Sequence, residues 1–498
     1  MNAQQQKVTM GMLRSAAPGI HAIERVSIIG AGLSGLTLAN GLQKVGIAAK
    51  LFEAAPSLAE KNRALRSSVV CLGPQALACL QAIGLKHRFL TGSSGAAEQE
   101  PQHQRAIGGR TRIYNTLHRP YSLFPRIKNN KGHLLFAAPN DVAATAPPVF
   151  WVEQVELENL LRENLSMETS IEYGHRFVRA KATDGNLKVS ASFENGAEEV
   201  SDLLVGADGT HSTVRALYYL GPASKGITAV YQQRQQFQGI ATLPPTAEEE
   251  YHKMVEEGPL QYWGDARLIQ VVPLSDRKVY WSAMLGFLAE HKSVFKEGSE
   301  RKAALLHYFS DFEDVVPSII DMTDDDAIVE RSLYRVPHML RWGMLRTVLV
   351  GDACHAIEPY LNEDASLAME DAIELSHVLR NFCVLRYSDK DSRRYPKDIP
   401  RASLRRWIYS RYEEQRMGRA AKIRRLTNTW KRYHEGMFPS PSLVSRFGKW
   451  LYQNSVFWWK VFSTSLTGSG HYEVPNLEEG RAGLRKTKFW HISDKGLP

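Results

Sequence analysis

Three glycines in the order Gly30-Ala-Gly32-Leu-Ser-Gly35 have the type and spacing that let a backbone close around a pyrophosphate. Gly30 suits a tight turn, Gly32 keeps a Cβ out of the phosphate's path, and Gly35 lets a helix pack closely on a strand. A carboxylate about twenty residues on accepts hydrogen bonds from an adenosine ribose, and Glu53 stands there. Two more acids sit beside small residues far downstream, in Asp202-Leu-Leu-Val-Gly-Ala-Asp208-Gly209 and in Val348-Leu-Val-Gly351-Asp352-Ala-Cys-His355. Each ends a run of β-branched and leucine residues, which brings a carboxylate to a sheet edge near sugar hydroxyls. A further pair, Glu363-Asp364, precedes a helical run. Adjacent carboxyls in an apolar pocket have one pKa raised, which suits proton donation or abstraction.

The elements that position these groups follow from local pattern. Val26-Ser-Ile-Ile reads as a buried strand, Leu33 to Val45 as a helix and Ala48 to Phe52 as a second strand, so the glycines open the helix of a βαβ unit. The helix N-terminus adds N–H groups and positive dipole to the phosphate site. No second fingerprint is present: Thr91-Gly-Ser-Ser-Gly95 lacks a preceding strand, and Leu466-Thr-Gly-Ser-Gly lacks a following helix. Val230 to Phe237, Leu268 to Val272 and Lys278 to Met284 read as strands, and a helix is expected to begin near Ala365. The stretch 86–147 has no clear helical period and reads as loops beside the pocket entrance.

With 498 residues and 43% hydrophobic content, the chain divides into two interleaved domains and an extension. The expected boundaries are a disordered tail over 1–24, a cofactor domain from 25–85, 148–220 and 336–380, a substrate domain from 86–147 and 221–335, and a helical region over 381–498. Four cysteines without metal-ligand spacing indicate neither a disulfide framework nor a metal, and favour a reducing, cytoplasmic setting. The net charge of +9 is concentrated between Arg401 and Lys431, where it reads as the solvated face of a helix and not as a nucleic-acid groove. Residues 449–462 are aromatic-rich but too short to span a bilayer. They read as a helix packed on the body, with a peripheral membrane contact as the second reading. The oligomeric state is left open.

On its three ordered motifs the chain from Val26 to Leu379 resembles the group A flavin-dependent monooxygenases, the family of para-hydroxybenzoate hydroxylase and salicylate hydroxylase. The resemblance implies a three-layer α/β Rossmann-like FAD domain with an inserted mixed sheet for the substrate and a helical C-terminal region. FAD would take its pyrophosphate to Gly30–Gly35 and its ribityl chain to Asp352, while Asp208 and Gly209 would be felt by both FAD and a visiting nicotinamide nucleotide. Arg66 looks like the family's arginine near the flavin, and Gln154 falls where members carry arginine or glutamine. Arg215 resembles the family pattern too, or serves the fold as a helix-surface residue. NAD(P)H would bind transiently and reduce the flavin, after which dioxygen reacts and one oxygen atom passes to an electron-rich substrate carbon. Arg234, Gln236, Tyr262, Trp263 and Trp281 are candidate substrate contacts, with Arg234 the candidate for a catalytic role. Pocket aromatics without an evident cationic clamp imply a small-molecule substrate that is bulky and largely apolar, such as a polyketide, terpenoid or indole-derived natural-product intermediate.

One segment departs from the family. Members typically show Pro-x-x-Gly-Gln-Gly at the start of the helix facing the flavin, whereas this chain has Pro359-Tyr-Leu-Asn362-Glu363-Asp364. Asp364 could cap its own helix and leave oxygenation unaffected. Alternatively, Glu363 or Asp364 serves as acid or base in a redox-neutral cyclisation or isomerisation with FAD retained. A third reading is a flavin-free binding protein, as the Rab escort proteins are on this fold.

Overall fold

Val26, Ile28 and Ile29 are almost wholly enclosed, because the strand that carries them is paired on both edges and covered on both faces. This strand, β1 (Arg25–Ile29), runs parallel to β2 (Ala48–Phe52) on one side and to Leu203–Gly206 on the other. The computed structural model describes residues 23–91, 120–122, 126–137, 148–218, 226–264, 267–286, 298–387, 404–436 and 477. Residues 1–22 of the expected 1–24 tail and the aromatic stretch 449–462 lie outside them. Ile23 is buried and the Glu24 N–H donates to Asp202 Oδ2 at 2.9 Å, so these two residues belong to the folded body and not to a tail.

The first sheet has six strands in the order Gly343–Met344, Thr347–Leu349, Leu203–Gly206, β1, β2, Ser170–Glu172. Its neighbours are parallel except at the Gly343–Met344 edge. Helix α1 (Leu33–Lys44) joins β1 to β2. A second, mixed sheet of seven strands contains β3 (Val230–Thr242) and β4 (Lys278–Gly286) side by side, flanked by Val329–Arg335 on one edge and Arg267–Pro273 on the other. The long helix α2 (Asp364–Tyr387) packs on α1, and α3 (Glu414–Gly436) follows it. This is the expected α/β architecture, with a parallel sheet, an inserted mixed sheet and a helical C-terminal region. Between 86 and 147, where loops are expected, the chain forms a short helix, Lys86–Thr91, and strands Pro120–Ser122, Arg126–Asn129 and Leu134–Phe136.

Because side chains alternate along a strand, the seven-stranded sheet has two unlike faces. One face sends Phe237, Trp281 and Tyr262 into a core shared with Phe309, Val316 and Ile320 of the covering helices. The other carries Gln236, Gln238 and, opposite them on β4, Met284 and Ser282. Trp430 of α3 reaches this second face and meets Trp263 edge-on, with ring centroids 5.4 Å apart.

The basic run differs from expectation. Arg416 has no exposed surface, and Tyr412 and Ile423 are equally enclosed, so this stretch is a structural helix with its cations turned partly inward. The reason lies on the facing helix: Glu370, Asp371 and Glu374 of α2 are themselves buried and require counter-charge.

Candidate active site

The glycine loop is built as its sequence requires. Gly30 has φ +100, and a Cβ there would stand 2.4 Å from the Ala207 carbonyl oxygen. A Cβ on Gly35 would stand 2.1 Å from the Gly30 oxygen, whereas the nearest atom to one on Gly32 is Glu158 Oε1 at 3.9 Å. The loop is thus locked at its ends and open at its centre, at the N-terminus of α1. Glu53 turns back to the loop: its Oε2 accepts the Ala31 N–H at 3.0 Å and pairs with Lys61 Nζ at 3.1 Å. Burial would push this carboxyl up, but the Lys61 charge with the Ala55 and Ala31 N–H groups holds it below its ordinary value. Lys61 also lies 3.6 Å from Glu158, whose Oε1 accepts from Gln154 Nε2 at 2.9 Å. Lys61 and Glu158 belong to this cluster, though no motif marks them.

Asp208 caps the following helix, its Oδ2 accepting the Thr213 and Val214 N–H groups at 2.8 and 3.1 Å. Its Oδ1 is buried and has no donor among the described residues. Thr210 Oγ1 donates to Asp352 Oδ2 at 3.3 Å, which joins the two aspartate segments. Arg215, only 1% exposed, reinforces that junction by donating to the carbonyls of Ile227, Ala353 and Thr210 at 2.9, 2.9 and 2.7 Å. It is an internal tie and not a helix-surface residue. Arg66 is exposed and donates to the Asp326 carbonyl at 3.0 Å.

Asn362 takes φ +54, the left-handed conformation that glycine adopts freely and asparagine tolerates. Its Nδ2 donates to Gln270 Oε1 at 3.2 Å, tying the 359–364 segment to the seven-stranded sheet. Asp364 is the first residue of α2. Burial, with the charge of Asp352, raises its pKa to about 6 against the pull of the Asp364 and Ala365 N–H groups. Glu363, 6% exposed, is raised to about 7 by burial and by Glu370 and Asp364, opposed by Arg419. Arg419 Nη2 stands 3.8 Å from Glu363 and 3.2 Å from Glu370.

Behind this pair Arg416 donates to Asp371 Oδ1 at 2.7 Å, and Asp371 Oδ2 accepts the Gly351 N–H at 2.9 Å and bonds His355 Nε2 at 2.6 Å. Helix α3 therefore supports both the Gly351-Asp352 turn and the start of α2.

The substrate candidates separate by face. Tyr262 and Trp281 enter the helix-side core, where Trp281 Nε1 donates to Thr323 Oγ1 at 2.8 Å. Arg234, 3% exposed, shares the opposite face with Gln236, whose Nε2 donates to Ser282 Oγ at 2.8 Å. Trp263 is covered by Trp430 and His434. Gln238, Tyr280 and Gln270 also line this face; a strand rich in glutamine carries no motif, and only the register reveals them.

Among the described residues, an open loop centre at a helix N-terminus, a carboxylate beside a lysine and a buried aspartate oxygen with no donor suit a dinucleotide with a sugar chain. The fold and these groups define a dinucleotide-binding flavoprotein. Residues 24–386 match the FAD binding domain family; the chain belongs to it and is an enzyme of the FAD-dependent monooxygenase kind, with FAD as its cofactor. It is similar to aurachin C monooxygenase/isomerase of Stigmatella aurantiaca, at 27% identity over 362 residues, 71% of this chain and 80% of that one. It is 27% identical over 400 residues to the chloroplastic zeaxanthin epoxidase of Oryza sativa, covering 80% of this chain but only 54% of the epoxidase, so it spans about half that relative's length. Among solved structures, Klebsiella pneumoniae HpxO complexed with FAD and uric acid shares the fold, with a TM-score of 0.64 at 18% identity over 89% of this chain and 97% of that one. Among the described residues no cluster could hold a metal ion, and no helix is long and apolar enough to cross a membrane.

Proposed function

We propose that this chain hydroxylates or epoxidises a bulky, ring-bearing natural-product intermediate, with NADPH or NADH as reductant and dioxygen as co-substrate. The observation that carries this reading is the bond from Asn362 to Gln270, which holds the N-terminus of α2 against the broad sheet face lined by Gln236, Gln238 and Ser282. A ligand on that face lies beside the helix N-terminus and the Gly351-Asp352 turn. The relatives named for aurachin C and zeaxanthin support a substrate of natural-product type.

In this reading Gly30, Gly32, Gly35 and the start of α1 hold the FAD pyrophosphate, Glu53 with Lys61 holds the ribose, and Asp352 with Thr210 holds the ribityl hydroxyls. Gln154 and Asp208-Gly209 complete that wall, with Arg66 at the surface. FAD supplies the redox chemistry and the activation of dioxygen. The chain's own residues bind and orient the substrate, exclude water and set the local charge. A carboxylate about 4 Å from another negative charge costs roughly 4 kcal/mol at an effective dielectric near 20. The raised pKa of Glu363, about 7, reduces that cost because the group keeps its proton part of the time at neutrality, whereas Asp364, at about 6, is mostly ionised there and keeps its proton only under mildly acidic conditions.

The same carboxyls favour a second reading, a redox-neutral cyclisation or isomerisation in which Asp364 donates or removes a proton and Glu363 assists. Arg234 is then the cation nearest in role to a developing negative charge on the substrate. Turnover assays of the FAD-loaded protein on polycyclic and polyprenyl test substrates separate the two readings. Product carrying oxygen from isotope-labelled dioxygen, dependent on NADPH or NADH, supports oxygenation. Conversion without dioxygen or reductant replaces it with the second.

A further inference from the structure

Gln238, Ser282 and Gln270 lie directly across from one another on three neighbouring strands, Gln238 opposite Ser282 and Ser282 opposite Gln270. The two glutamines are 6% and 5% exposed. Each uses one end of its amide within the protein: Gln238 Nε2 donates to the Tyr280 hydroxyl at 2.7 Å, and Gln270 Oε1 accepts from Asn362 at 3.2 Å. The other ends, Gln238 Oε1 and Gln270 Nε2, are buried, and neither has a hydrogen-bond partner among the described residues. Buried amide ends are almost always satisfied in native proteins, so an acceptor and a donor left together in one row point to a ligand that supplies both complements.

We propose that this row is the polar recognition pair of the substrate, Gln270 donating to a ring carbonyl and Gln238 accepting from an N–H of the same ring. The proposal rests on the sheet face being the substrate site. Side chains stand roughly perpendicular to a sheet, and residues two strands apart are separated by about 9.6 Å. Subtracting two hydrogen bonds of about 2.9 Å leaves about 4 Å between the ligand's donor and acceptor, the span across one six-membered ring. The class is an aromatic or vinylogous ring system with a ring N–H placed across the ring from a carbonyl. It adds a polar axis to a substrate otherwise expected to be apolar.

The test is calorimetric titration of the FAD-loaded protein with 4-quinolone, which has both groups, and with N-methyl-4-quinolone, which keeps only the carbonyl. The parent is expected to bind 4-quinolone about tenfold or more tightly than the methylated form, the value of one hydrogen bond to a buried acceptor. Gln238→Leu should erase that preference, Gln238→Glu should retain it because an acceptor remains, and Gln270→Leu should weaken both probes alike. A parent that does not discriminate, or a Gln238→Leu variant that still does while circular dichroism shows it folded, overturns the proposal. The flavin absorption spectrum, recorded in the same titrations, reports separately on the site. Discrimination with no spectral change leaves the pair standing and refutes the placement beside the flavin, whereas a spectral change without discrimination does the reverse.

Discussion

Arg416 Nη1 meets Glu370 Oε2 at 2.6 Å, and neither side chain has any exposed surface. The same guanidinium holds Asp371, which grips the Gly351 N–H, so a cation from α3 anchors the turn that carries Asp352. Such a pair adds little net stability over an apolar replacement, but breaking it strands the remaining charge.

Arg416→Met should therefore destabilise the protein by about 3–5 kcal/mol, read from urea unfolding, and should raise the FAD dissociation constant as the Gly351 turn loosens. A variant that unfolds at the parental urea midpoint would show that Glu370 and Asp371 find other compensation.

Glu363 gives a pH dependence. Its pKa is raised from 4.5 to about 7 in the folded chain, chiefly by burial. Through that window the native state holds a proton that the unfolded chain has released, so stability falls as pH rises. The contribution is fully present below the unfolded value and lost through the folded one, a change of about 3 kcal/mol. Glu363→Gln, which cannot ionise, should match the parent under acidic conditions and exceed its denaturation midpoint in mildly alkaline buffer. Parallel curves for the two proteins would exclude the ionisation.

Gly32→Ala and Gly35→Ala should fail differently. An added Cβ at Gly32 meets only Glu158 Oε1 at 3.9 Å, while at Gly35 it falls 2.1 Å from a backbone oxygen. The Gly32 variant should keep the thermal midpoint of the FAD-free protein and lose FAD affinity, whereas the Gly35 variant should lose stability before any cofactor is added. Fluorescence titration with FAD, alongside thermal unfolding of the stripped protein, distinguishes them.

Trp281→Phe removes the bond to Thr323 in the helix-side core. It should cost about 0.5–1.5 kcal/mol of stability, the net value of one hydrogen bond, because the Thr323 hydroxyl still donates to the Ile319 carbonyl, and it should leave substrate KM unchanged. A large KM change with intact stability would place Trp281 in the substrate pocket after all.

The βαβ unit with its glycine loop was readable because all its constraints are local: strand, turn, helix and acid lie within one short run from Val26 to Glu53. The strands of the mixed sheet were readable as strands, but not their faces. Tyr262 and Trp281 are one residue out of step with Trp263 and Ser282, and only pairing register says which parity meets the flavin domain. Lys61, Glu158 and Arg416 escaped for another reason. Each acquires its role from a residue distant in sequence or on another element, and a lysine or arginine in a charged stretch looks alike whether it meets water or a buried acid.

The support that α3 gives to the site also sets an order of events during synthesis. The glycine loop, both aspartate segments and the acids of α2 leave the ribosome before Arg416 and Arg419 do. Until those arginines arrive, Glu370 lacks the contacts of Arg416 and Arg419, and Asp371 has His355 without the Arg416 guanidinium, so the nascent cofactor domain is short of part of its charge compensation. A firm hold on FAD is therefore expected only once translation has passed α3, and a chain released before Arg416 should bind FAD more weakly than the full one.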